Sequence, residues 1–103
     1  MEKMELISFK IISNVGSAKS CYIEAMQLAK KGLFQEAQAK ITEGEEIFVK
    51  GHLAHAELIQ SEASGEKVEI GLLLMHAEDQ LMSAETIKLM AEEMIDLYKL
   101  VKK

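Results

Sequence analysis

KVEIGLLLMHAEDQLMSAETIKLMAEEMIDLYKLVK, residues 67–102, is the stretch on which the fold turns. Ala, Leu, Met, Glu and Lys, which lose little on entering a helix, make up most of it, and it holds no proline. Wound at about 100° per residue around His76, it gathers Leu72, Leu73, Ile87, Met90, Met94, Leu97, Tyr98 and Val101 within ~60° on either side. This reads as the packing stripe of a long helix. Glu78, Glu85, Lys88 and Glu92 fall on the other side and read as solvated surface.

Upstream, two breaks divide the remainder. Lys30-Lys31-Gly32 puts cations in a last turn and then a glycine suited to a left-handed cap, with a new pattern starting at Leu33-Phe34. Ala63-Ser64-Gly65-Glu66 is a second small, polar stop. Three helices are therefore predicted, at approximately 3–31, 34–63 and 67–102, each ~30 residues and ~45 Å long. Short connections make neighbours antiparallel, so the expected fold class is all-α, an antiparallel three-helix bundle forming one domain over 1–103. The first helix carries Ile7, Ile11, Val15, Ala18, Tyr22, Ala25 and Ala29 on one side; the second carries Ala37, Ile41, Gly44, Phe48, His55, Leu58 and Ile59. Gly16, Gly44, Gly51 and Gly71 lie inside these patterns at ~1 kcal/mol each relative to Ala, which points to close packing.

Composition excludes several roles. With 103 residues, 12 Lys, no Arg, 17 acidic residues and a net charge of −5, the chain lacks the basic footprint that nucleic acid or an anionic membrane surface demands. The longest apolar run, Ile70 to Met75, falls far short of the ~20 residues of a spanning helix. The N-terminal residues lack the pattern of a secretion signal, and a single cysteine, Cys21, forms no internal disulfide. A cytoplasmic location without membrane insertion is expected. There is no glycine-rich phosphate loop and no HExxH or ExxH motif. His52 and His55, at i and i+3, have no acidic or cysteine partner at helical spacing, so a metal site there is not favoured. Cys21 reads as a small core residue rather than a nucleophile.

His76, Asp79, Gln80 and Ser83 interrupt the apolar stripe for two turns. A buried polar group without a partner costs ~1–3 kcal/mol, so either these four satisfy one another or the face is a site. The residues just before them are apolar on every side, and self-association would cover them; copies of Asp79 brought to a symmetry axis must take up a proton or a cation. His76 is a nucleophile and proton carrier matched to neutral pH, but a lone histidine on such a face also reads as a hydrogen-bonded core residue. The residues by themselves give an oligomeric bundle with a polar seam and no reaction.

GLLLMHAEDQLMSAE (71–85) resembles the phosphorylation-site helix of the lactose/cellobiose-type IIA components of the bacterial phosphoenolpyruvate-dependent sugar phosphotransferase system. HLAHAELIQSEASGE (52–66) is similar to that family's second-helix ending, and GSAKS (16–20) to its small-residue motif on the first helix. The resemblance implies a homotrimer in which a third-helix histidine accepts a phosphoryl group from the general phosphohistidine carrier and passes it to a cysteine of the IIB component. His76 occupies that position, and Asp79 matches the axial aspartate that holds a divalent cation such as magnesium at the trimer centre. No organic cofactor is implied. Gln80 stands where one form of the family has His, so any part of that neighbour in orienting or hydrogen-bonding the phosphoryl group would here fall to an amide; His55 stands where the family often has Gln, and Lys19 where it often has Arg.

The expected function is thus that of a phosphocarrier serving uptake of a β-linked disaccharide. Holding and releasing a phosphoryl group is dominated by positioning and needs little acid–base machinery. No lysine of the third helix lies near His76, so the charge that steadies the anion must come from other helices, a neighbouring subunit or a partner. The rival reading is a non-catalytic helical adaptor whose polar seam sets oligomer register.

Overall fold

The computed structural model describes residues 3–102. Three helices, α1 (Lys3–Lys30), α2 (Phe34–Ala63) and α3 (Leu72–Val101), form a rod of 55 × 21 × 20 Å. The chain runs up, down and up: α2 is antiparallel to both neighbours, and α3 lies alongside α1 in the same direction. α3 packs mainly on α1 and meets α2 along a shorter seam.

Both predicted stops are glycine caps. Gly32 (φ 83°) and Gly65 (φ 93°) occupy the left-handed region, where a Cβ would be strained. At the first, the N–H of Leu33 donates to Leu28 O at 3.0 Å and that of Gly32 to Ala29 O at 2.9 Å. At the second, Glu66 donates to Ser61 O and Gly65 to Glu62 O, both at 3.1 Å. This paired pattern satisfies carbonyls that a helix end otherwise leaves open.

The third helix starts five residues later than its predicted beginning at 67. In Lys67-Val68-Glu69-Ile70, β-branched residues alternate with charges, a pattern that favours extended backbone. Val68 tucks against the core, Ile70 stays exposed, and Gly71 (φ −125°, ψ 178°) leads into α3.

The core divides into two stacked layers. Near the start of α1 are Ile7, Ile11 and Val15 with Ala54 and Leu58 of α2 and Leu74, Ala77, Leu81 and Ala84 of α3. Near its end, Ala18, Tyr22, Ala25 and Ala29 meet Ala37, Ile41, Ala91 and Ile95. All seven residues expected on the inner side of α1 are buried. On α2, Phe48 and His55 are only partly buried and Ile59 is exposed, while Gly51 and Ala54 pack inward.

Two of the four internal glycines mark close approaches. A Cβ at Gly44 would stand 2.5 Å from Cε1 of Tyr22, and one at Gly51 would stand 2.8 Å from Cγ1 of Val15. Gly16 meets nothing within 4 Å, and Gly71 lies outside the helix. The Tyr22 ring is fully buried, so moving it aside disturbs the packing around it. Gly44→Ala is therefore expected to lose about 1–2 kcal/mol in urea denaturation, the overlap exceeding the ~1 kcal/mol gained from helix propensity. An unchanged or raised unfolding midpoint would show that the ring can move aside.

Candidate functional site

The inward side of α3 is not the stripe centred on His76. Its buried residues are Leu74, Ala77, Leu81, Ala84, Ala91 and Ile95, a strip rotated by roughly 100° from His76 about the helix axis. The alanines, seven residues apart at Ala77, Ala84 and Ala91, let α3 approach its neighbours closely. In the stripe predicted to pack, Leu72 is 84% exposed, Val101 72% and Met90 54%. The physical reason is that α3 is apolar on more than one side, so hydrophobic period alone does not say which side the chain's own helices cover.

The same rotation corrects the reading of Glu78 and Lys88 as plain solvated surface. Both are partly buried and reach α2. Glu78 Oε1 lies 2.6 Å from Nε2 of His55, and the Lys88 ammonium pairs with Glu45. Nothing in spacing announced either bridge.

His76 and Asp79 are exposed on the outer face, while Gln80 and Ser83 are partly buried beside them. No hydrogen bond joins the His76 ring to another described residue, nor do these four polar side chains satisfy one another. The imidazole is open to a visiting molecule. Gln80 is engaged instead by α1: the Lys19 ammonium donates to its Oε1 at 2.9 Å. A cation from another helix therefore stands one turn along from His76.

The remaining candidates are placed elsewhere. His52 is exposed and stacks on Phe48, with ring centroids 6.4 Å apart, so it does not join His55 at one site. It lines a groove of about 730 Å³ between α2 and α3, with Phe48, Val49 and Leu89. Among the described residues no three His, Cys, Asp or Glu side chains gather to hold a metal. Cys21 is buried and its thiol donates to Glu43 Oε2 at 3.1 Å. Burial, reinforced by the Glu43 carboxylate, pushes it up to about 11, so it stays protonated near neutral pH. No described helix is long and apolar enough to cross a membrane.

Chemically, the outer face offers a free imidazole, a carboxylate one turn away, an amide holding an ammonium, and exposed apolar side chains around them. An open surface of this kind suits contact with other proteins better than enclosure of a small molecule.

Residues 6–99 match the model of a protein family described as the PTS system, lactose/cellobiose specific IIA subunit. The lichenan-specific phosphotransferase enzyme IIA component of Bacillus subtilis is 47% identical over 97 residues, 94% of this chain and 88% of the relative. The crystal structure of the cellobiose-specific enzyme IIA from Bacillus anthracis superposes with a TM-score of 0.96 at 47% identity, covering 99% of this chain and 94% of that one. A solution structure of the IIA(chitobiose)–HPr complex from Escherichia coli gives a TM-score of 0.85 at 29% identity, with 100% of both chains covered.

Proposed function

The chain belongs to the lactose/cellobiose-specific IIA family of the sugar phosphotransferase system, and on that premise we propose that it is a phosphocarrier whose acceptor is His76. The observation that carries this reading is the exposed, unbonded imidazole on the outer face of α3. The donor is a carrier of the HPr kind, with which the chitobiose relative was solved in complex, and the acceptor that follows is a IIB cysteine.

In the forward step an unprotonated ring nitrogen of His76 attacks phosphorus in line. The new N–P bond forms as the donor's N–P bond breaks, and the leaving imidazole keeps that electron pair. The donor ring takes up a proton and the His76 ring gives up its other N–H proton, so charge balances. In the return step a IIB thiolate attacks, and the His76 imidazole leaves and is reprotonated. What the chain supplies is position and charge, not bond-making machinery.

Three copies packed about a symmetry axis on the Asp79 side of α3 would cover Leu72, Met90 and Leu97, which the single chain leaves exposed, and would leave His76, about 60° round the helix from Asp79, at the rim of the contact. Asp79 lies on that face. One chain supplies a single carboxylate there and does not build a cation site, but three copies of Asp79 would offer the oxygen donors that a hard divalent cation such as magnesium takes. Bound there, the cation would neutralise the carboxylates and hold the copies together. Asp79→Asn is expected to remain assembled while losing the rise in melting temperature that added magnesium gives the parent; an equal rise in both would remove Asp79 from that role.

The proposed setting is the cytoplasmic side of a transporter for a β-linked disaccharide, in keeping with the lichenan and cellobiose relatives. Incubation with phosphoenolpyruvate and the two general phosphotransferase proteins tests the central point. Mass spectrometry of the intact chain should show one added phosphoryl group; a chain that stays unmodified returns the protein to the adaptor reading.

A further inference from the structure

We propose that Lys19 supplies the positive charge that steadies a phosphoryl group on His76, and that Gln80 is the positioning residue that holds Lys19 for this task. The proposal rests on the reading of His76 as the acceptor. It starts from the one side-chain hydrogen bond linking α1 to the outer face of α3, Lys19 Nζ to Gln80 Oε1 at 2.9 Å.

Lys19 is partly buried, and no described carboxylate lies within 4.0 Å of its ammonium. The bundle's other inter-helix cations are used differently. Lys40 of α2 bonds Glu24 of α1 at 3.1 Å and Glu43 at 3.3 Å, and Lys88 of α3 bonds Glu45 of α2. A structural lysine in this bundle takes an acid. Lys19 takes a neutral amide, which orients the ammonium without cancelling its charge.

Gln80 follows His76 by four residues, so the two side chains are neighbours on one helical face, ~5–6 Å apart at Cβ. The other charges on that turn are negative: Asp79, exposed, and Glu78, which faces His55. A phosphoryl group adds roughly two further negative charges, and none of the third helix's own residues near His76 offsets them. Lys19 is placed to do so. A flexible four-carbon stem lets the ammonium reach the phosphoryl oxygens while Gln80 remains hydrogen-bonded or releases it. The lysine forms no bond to phosphorus.

The amide at position 80 makes this arrangement work. A carboxylate there would pair with Lys19 and spend its charge, and an apolar side chain would leave the ammonium without its anchor. Gln80→Glu and Gln80→Leu should therefore both weaken phosphoryl retention, by different routes.

The test compares parent, Lys19→Met, Lys19→Arg and His76→Ala at equilibrium with a fixed ratio of phosphorylated to free donor. Lys19→Met is expected to lower the ratio of phosphorylated to free chain about tenfold, the usual worth of one charge-assisted hydrogen bond. Lys19→Arg should restore it to within about threefold. Circular dichroism, melting temperature and association state of each variant are measured alongside, and their constancy separates the charge effect from unfolding. The parent's equilibrium should also shift towards the free form as salt rises, and that of Lys19→Met should respond less. Equal phosphorylation of parent and Lys19→Met, with His76→Ala unmodified, overturns the role of Lys19 and leaves His76 standing. A parent that takes up no phosphoryl group overturns both.

Discussion

His76→Ala is expected to take up no phosphoryl group from phosphoenolpyruvate and the general phosphotransferase proteins, whereas the parent chain takes one. The expected effect is total because the substitution removes the proposed nucleophile rather than a supporting contact, and the other histidines are badly placed to replace it. His55 is held against Glu78, and His52 is stacked on Phe48 at the α2–α3 groove. The fold should be unaffected. His76 is exposed and contributes to neither core layer, so the change in stability should stay within about 0.5 kcal/mol. Intact-mass measurement and a denaturation curve on the same preparation separate the two readouts. A phosphorylated alanine variant would move the acceptor to another residue, which peptide mapping would then identify.

Met90→Glu is expected to break the proposed trimer while leaving the three-helix chain folded. Met90 is 54% exposed in the single chain and lies outside both core layers, so the chain itself tolerates a charge there. In a symmetric trimer the same position is repeated about the axis, and the new carboxylates would join those of Asp79. An unpaired charge buried at an interface costs ~3 kcal/mol or more, which corresponds to a fall in the association constant of about a hundredfold or larger. Sedimentation velocity should show the mass of the parent fall to that of one chain with helical dichroism retained. A variant that keeps the parent's mass would place the contact elsewhere, on the second exposed strip formed by Met75, Met82 and Leu89.

These two expectations draw on different kinds of legibility. The histidine could be singled out because residues 71–85 carry the most specific part of the resemblance, and its exposure is a property the structure adds. The inner side of α3 could not be read in the same way. Centring the apolar stripe on His76 chose Leu72, Met90 and Val101, whereas Ala77, Leu81 and Ala84 are what α1 and α2 cover. Alanines contribute weakly to any hydrophobic count, yet they allow the closest packing, so the true inner strip was the less conspicuous one. The extended run at 67–70 was likewise absorbed into the helix, since its alternation of charge and β-branched residue spans only four positions.

The sequence by itself determined that this protein is a bundle of three long helices and where two of them stop. Helix propensity, a left-handed glycine and a basic last turn act over a few neighbouring residues and are written locally. Only the tertiary structure decided which side of α3 faces inward, that Glu78 meets His55 across a gap of 23 residues, and that Lys19 reaches Gln80 across 61. Contacts of that range depend on how already formed helices rotate and pack against one another, a choice made by the shape of whole faces and by no single segment.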